Sequence, residues 1–370
     1  MHHRFLNIKK LLEKKSFFLL GPRATGKSTL IQSTLSKAQI IDLLQTRMFS
    51  QLLRDPGRLE ELILPESKIV VIDEVQRLPV LLNEVHRLIQ QKRITFLLTG
   101  SSARKLKHGG ANLLAGRAHE ARFFPLVSAE IENFDLIRLL NHGGLPEIYD
   151  RDDPDEDLAS YVDTYLREEI RAEAVTRNVA AFAEFLDAVA ISNGQEMNYE
   201  SFASDLQISP SSLKNYLQIL EDTLIGFRLT GYTKTIKRKA IVRAKHYLFD
   251  LGVTRHLART GAIIEQGKTF GDAFEHFIVL EVRAYLSYAR RRIDFQYWRS
   301  TTQFEVDIVL GDDVAIEIKS TENPSDKHLK GLRALNEENI FKRFILVSTA
   351  RNFRKTSDGI EILPWKKFLS

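Results

Sequence analysis

The chain has 370 residues, too many for one ordinary core, so two or three domains are expected. Its 44% hydrophobic and 27% charged residues are those of a soluble globular protein, and its net charge of +5 is too modest to name a partner. Zero cysteines exclude disulfides and thiolate metal sites and fit a reducing compartment. The apolar runs at 17–20, 69–72 and 94–98 are far shorter than a membrane span. The N-terminus lacks a continuous apolar core and a small-residue cleavage site, so a cytoplasmic protein with no signal peptide and no membrane partner is expected.

The first 150 residues alternate short apolar runs with helical patterns, which predicts a parallel sheet covered by helices, with strands at 17–20, 39–43, 68–72, 94–99 and 120–124. The stretch FFLLGPRATGKSTL places Gly21, Pro22, Arg23, Ala24, Thr25, Gly26, Lys27, Ser28 and Thr29 between an apolar strand and a helical pattern. That is the context a phosphate-binding loop requires. The glycines let backbone N–H groups wrap phosphates, Lys27 reaches the β- and γ-phosphates of ATP, and the Ser28 hydroxyl binds Mg²⁺.

KIVVIDEVQRLP, residues 68–79, ends four apolar residues in Asp73-Glu74. Packing explains poorly an acid at the end of a buried strand. Asp73 is expected to hold Mg²⁺ through water, and Glu74 to act as the base on the attacking water. ITFLLTGSS is a further strand ending in polar residues, where Thr99 or Ser101 either orients that water or only makes a turn. LLAGRA offers Arg117, either a surface arginine or a finger on the transferring phosphoryl group.

The acidic stretch RDDPDED at 151–157 reads as a linker. A mostly helical region follows, 158–262. Within it, YESFASDLQISPSSLKNYLQIL reads as a helix-turn-helix, with Ser209 as cap and Pro210 at the first helical position. Leu213, Tyr216, Leu217, Leu220 and Leu224 form the apolar stripe. The opposite face carries Ser211, Lys214 and Asn215, types that reach bases or phosphates. Residues 227–248 alternate enough for a hairpin bearing the basic run TKTIKRKAIVRAK, with Lys237, Arg238, Lys239 and Arg243. Together this resembles a winged helix contacting nucleic acid; the bland alternative is a helical spacer with a solvated hairpin.

The last part, 263–370, reads helix (271–286), three strands (293–298, 304–310, 314–319), helix (325–337) and strand (343–347). That order resembles the core of restriction-endonuclease-like nucleases, known by an Asp…(Asp/Glu)-x-Lys signature. The matching residues are Asp307 and, after nine others, Glu317-Ile318-Lys319. Period two puts Glu317 and Lys319 on one strand face. Asp307 and Glu317 would bind Mg²⁺, and Lys319 would position water or stabilise the transition state. On the first helix Glu275 is the first choice for a further acid and Glu281 the second. A half-exposed hairpin shows the same alternation without any chemistry.

The order GPRATGKSTL, VVIDEVQRLP, LLTGSS, AGRA, FFPLVSAE and GGLPEI resembles the AAA-like ATPases whose C-terminal half is the domain of unknown function 4143. The resemblance continues through YLREEI, YLFDLGV, FGDAFEHFIVLEV, YWRS, EVDIVL and AIEIKS over nearly the whole chain. It implies an α/β protein: an N-terminal P-loop domain of the additional-strand group, a helical winged-helix-like middle and a C-terminal nuclease-like α/β domain. It raises Arg117 as a finger, because its Gly-Arg pair sits where the family has one; a finger acting in trans would require a homo-oligomer. Glu168-Glu169-Ile170 departs from the family, which often has an acid-aspartate pair there. The expected function is Mg²⁺-dependent ATP hydrolysis coupled to movement on DNA, with DNA cleavage at the C-terminal site. The rivals are an ATP-gated switch acting on a protein partner, and an ATP-gated nuclease effector.

Overall fold

The computed structural model describes residues 2–102, 104, 114, 116–166 and 179–370; Glu168, Glu169 and Ile170 lie outside them. Strands β1 (Ser16–Leu20), β2 (Gln39–Asp42), β3 (Ile69–Asp73), β4 (Thr95–Gly100) and β5 (Ala118–Arg122) form a five-stranded sheet in the order β2-β3-β4-β1-β5. All four pairings are parallel. The central strands β1, β3 and β4 are largely apolar because both faces are covered: on β1, Phe18 and Leu20 enter one core, Phe17 and Leu19 the other. Strand β4 lies between β1 and β3, which is the additional-strand arrangement. The phosphate loop at the end of β1 and the acids at the end of β3 are therefore separated by the end of β4, where Thr99 sits.

The helices that position the sites are α1 (Lys27–Thr34), α2 (Leu81–Lys92), α3 (Tyr199–Asp205), α4 (Pro210–Asp222), α5 (Gly267–Tyr288), α6 (Lys330–Asn336) and α7 (Trp365–Leu369). Helices α3 and α4 make the expected helix-turn-helix. The Ser209 side chain accepts from Ser212 N, and Leu213, Tyr216, Leu217 and Leu220 are buried in the helical core of the middle region.

The second sheet has eight strands in the order β12-β13-β11-β10-β9-β8-β6-β7. These are β6 (Gly226–Gly231), β7 (Lys245–Leu248), β8 (Phe295–Arg299), β9 (Glu305–Leu310), β10 (Val314–Lys319), β11 (Arg343–Ser348), β12 (Arg354–Lys355) and β13 (Glu361–Pro364). The hairpin expected as a wing exists as β6–β7, but β6 pairs in parallel with β8, so the hairpin is the edge of this sheet. It cannot project as a free wing, because one side of β6 is spent on the C-terminal ladder. Helix α5 packs Phe274, Phe277 and Ile278 against Ile308, Ile316 and Ile318. Helix α6 packs so close on the opposite face that a Cβ at Gly331 would stand 1.9 Å from the Glu305 carbonyl oxygen. Strands β12 and β13 and helix α7 extend the fold beyond the elements read from the sequence; β13 ends in Pro364, a residue that lowers strand propensity.

Candidate functional site

At the top of the first sheet, Gly26 takes φ +87° and leads into α1, a conformation only glycine adopts freely. Lys27 is buried, and its Nζ donates to the carbonyls of Gly21 (2.7 Å) and Pro22 (2.8 Å). Ser28 Oγ donates to Asp73 Oδ2 at 3.4 Å, across the end of β4. Thr99 donates from its hydroxyl to Asp73 Oδ1 and accepts from Glu74 N at 3.1 Å. Thr99 therefore fixes the acid pair, while Ser101 Oγ accepts from Gln76 Nε2 at 3.0 Å. A hydroxyl and a carboxylate at this spacing are hard oxygen donors of the kind Mg²⁺ prefers, so the residues fit that ion.

Two supports were not legible in the sequence. Gln76, two residues after Glu74, donates from Nε2 to the Glu74 carboxylate, while its Oε1 is buried with no hydrogen-bond partner. Arg4 lies under the phosphate loop. Its guanidinium donates to the carbonyls of Thr25 (2.7 Å) and Phe124 (2.6 Å) and pairs with Glu130 at 2.9 Å, both side chains almost fully buried.

Arg117 is not at this site. It precedes β5, whose first residue Ala118 registers with Ser16 at the start of β1, whereas the phosphate loop follows the end of β1. The separation is about 16 Å along the strand. Its guanidinium instead meets the side-chain oxygen of Gln90 on α2, once that amide is oriented to accept, at 2.7 Å. This placement holds Arg117 away from the phosphate loop of its own chain.

At the second site Asp307 and Glu317 are 3% and 5% exposed and stand on neighbouring antiparallel strands. The ladder stops at Ile316–Ile308, and Asp307 Oδ2 accepts from Ile318 N at 2.7 Å. Lys319 Nζ lies 2.6 Å from Glu317 Oε1 and 3.7 Å from Asp307 Oδ2. Burial and the neighbouring Asp307 push the Glu317 carboxyl well above its usual range. Burial alone would lower Lys319, but Asp307 and Glu317 outweigh it and hold the ammonium charged.

Glu317 Oε2 is buried without a hydrogen-bond partner. Two buried carboxylates with one oxygen unspent fit a hard divalent cation as donors, although among the described residues no group of three or more such side chains is gathered for one.

Glu275 stands beside this pair in a second layer. Tyr247 donates to it at 2.8 Å, and Lys245 pairs with both Glu275 (3.4 Å) and Glu305 (2.6 Å). Burial raises the Glu275 carboxyl, with Lys245 opposing and Asp307 adding to the rise. Lys245, read as part of the basic run, is in fact buried among these acids. Glu281 belongs elsewhere: its carboxylate accepts from Ser128 N at 2.6 Å, joining α5 to the N-terminal region.

Part of the basic run is engaged within the chain: Lys245 is buried, and Lys234 pairs with Asp312 at 2.8 Å. Lys237 donates to the Glu337 carbonyl and Arg238 pairs with the Glu337 carboxylate at 2.7 Å, while Glu338 accepts from the backbone N–H groups of both. Acids distant in sequence neutralise it, which no local pattern reveals. Lys239 and Arg243 are exposed, as are Ser211, Lys214 and Asn215 on α4. No helix among the described residues is long and apolar enough to cross a membrane.

Comparison with known proteins divides the chain into three. An AAA domain profile matches residues 13–132, the domain of unknown function DUF8612 matches 133–263, and DUF4143 matches 270–368. An uncharacterized Mycobacterium tuberculosis protein is 24% identical over 370 residues, with 95% of this chain and 80% of the relative covered. An uncharacterized Haemophilus influenzae protein is 24% identical over 387 residues, covering 93% and 91%. Among solved structures, the replication initiator DnaA bound to AMPPCP and single-stranded DNA superposes with a TM-score of 0.30 at 10% identity, covering 58% of this chain and 86% of that one. Domain III of Thermotoga maritima DnaA gives 0.24 at 10% identity, covering 58% and 88%.

Proposed function

We propose, from the premise that this chain is an AAA-domain protein with a C-terminal DUF4143 region, that it hydrolyses ATP and couples turnover to the remodelling of DNA. In this reading the chain divides into a P-loop domain (1–150), a helical domain (158–262) and a nuclease-like domain (263–370). The observation that carries the ATPase part is the convergence of Lys27, Ser28, Asp73, Glu74 and Thr99 at the ends of β1, β3 and β4. Lys27 exchanges its carbonyl partners for the β- and γ-phosphates. Asp73 and Ser28 hold Mg²⁺, which neutralises phosphate charge when bound. Thr99 keeps Asp73 and the Glu74 backbone in register, and Glu74 takes the proton from the attacking water.

The nuclease-like domain supplies the nucleic-acid part. Asp307 and Glu317 would hold a divalent ion that screens the phosphodiester, and Lys319 would move from its carboxylates to the scissile phosphate or its water. Exposed Lys214, Asn215, Lys239 and Arg243 would add backbone contacts. Cleavage of single-stranded, duplex and branched DNA with Mg²⁺ or Mn²⁺, beside Asp307→Ala and Lys319→Ala, tests the site. Cleavage that survives both substitutions eliminates it.

One observation favours a second reading, an ATP-gated switch acting on a protein partner, in which the nuclease-like domain is non-catalytic. Lys319 pairs with Glu317 and lies 3.7 Å from Asp307, and Lys245 pairs with Glu275 and Glu305, so each of these four acids already has a lysine partner and two ammonium groups partly offset their charge. Steady-state ATPase assays with and without DNA separate the two. Stimulation by DNA supports remodelling; slow turnover unaffected by DNA supports the switch.

A further inference from the structure

The C-terminal ends of β10, β11 and β13 lie side by side, since Lys319 registers with Ser348 and Ser348 with Pro364. At the ordinary strand spacing, Pro364 is about 10 Å from Lys319 across the sheet. The segments that leave β11 and β13 at these ends, 349–353 and 365–367, face residues 133–137 across an open groove of ≈ 860 Å³.

Its walls pair rings with cations. Phe353 is 45% exposed, and the Lys367 ammonium lies 4.6 Å from its ring centroid. Trp365 is half-buried with Lys366 5.4 Å from its ring, and it is held edge-on by Phe134 (5.8 Å) and Phe277 (5.7 Å). Arg351 is exposed on the same wall. Asp135 and Glu265 also line the groove, so net charge alone would not select a ligand. The combination does: exposed π-faces take bases of any sequence, and the cations beside them take the phosphates between those bases.

We propose that this groove binds single-stranded nucleic acid, with bases stacked on Phe353 and Trp365 and the backbone running across the C-terminal ends of β13, β11 and β10 toward Asp307, Glu317 and Lys319. The proposal rests on reading the C-terminal domain as one that acts on nucleic acid. It also adds a contact surface beyond the basic run, where Arg238 is already paired with Glu337.

The full chain is titrated with fluorescein-labelled oligothymidylate, single-stranded and as duplex, with anisotropy giving Kd. Unlabelled oligonucleotide is followed by tryptophan fluorescence. The chain has two tryptophans and Trp298 is fully buried, so stacking should quench Trp365 alone and Trp365→Phe should abolish the quench. Phe353→Ala should weaken single-strand binding by about 5- to 150-fold. Lys366→Ala with Lys367→Ala should lower the slope of log affinity against log salt by about 1.4, two phosphates' worth. Wild-type binding with no quench, and unchanged in Phe353→Ala, overturns the groove while leaving the nucleic-acid reading standing. Preference for duplex over single strand overturns the proposed occupant. No binding to either probe overturns the groove together with the reading beneath it.

Discussion

Replacing Arg4 with methionine should open the phosphate loop from beneath. The Arg4 and Glu130 side chains are 6% and 0% exposed, and Glu130 is also held by Phe5 N (2.7 Å) and Val127 N (3.3 Å). The variant keeps an apolar stem but loses the guanidinium, which lies 4.0 Å over the Phe123 ring, and it leaves the Glu130 charge buried and uncompensated. That costs about 3–5 kcal/mol. The carbonyls of Thr25 and Phe124 lose charged donors as well, and Thr25 is a residue of the loop itself. If the cost falls on local opening, amide exchange across residues 21–28 should accelerate by about two to four orders of magnitude. Hydrogen–deuterium exchange by mass spectrometry reads this directly. Arg4→Met combined with Glu130→Met should recover most of the protection, since the pair then leaves together. An acceleration below about tenfold, or a double variant as open as the single one, would refute the reasoning.

Glu74→Gln should lower kcat for ATP by about 10²–10⁴-fold while leaving AMP-PNP affinity by calorimetry near wild type, because the amide keeps the shape and loses the base. Gly331→Ala should cost about 1–3 kcal/mol in chemical denaturation, since its Cβ meets the Glu305 carbonyl and α6 must lift from β9. Glu281 gives a pH dependence. Burial raises its carboxyl to about 7 in the fold, with the nearby Glu130 pushing the same way, from an ordinary 4.5. Between those values the unfolded chain releases a proton that the folded chain keeps, so stability falls as pH rises, by about 3 kcal/mol in all. Denaturation from about pH 5 to about pH 7 should show this slope, levelling off at higher pH, and Glu281→Gln should flatten it.

The strand ladder of the first domain was legible because its signals are local. Runs such as FFLL and IVVI are continuous where both faces are covered, and the glycines and acids follow at their ends. The hairpin carrying Asp307, Glu317 and Lys319 was legible through period two and one turn. Local pattern failed where charges meet across long separations. Arg4 finds Glu130, Lys245 finds Glu275 and Glu305, and Arg238 finds Glu337, pairings separated by 30 (245 to 275) to 126 (4 to 130) residues, so a run of basic residues reads as a surface whether or not acids cover it. The same limit applies to Arg117: a glycine-arginine pair marks a type of residue, while the register of β5 on β1 decides which end of the sheet it occupies. The sequence by itself determined which groups are chemically capable, because chemistry resides in side chains and strand periodicity in nearest neighbours. Only the tertiary structure decided which of those groups are free to act, because burial and ion pairing depend on what the rest of the chain brings alongside.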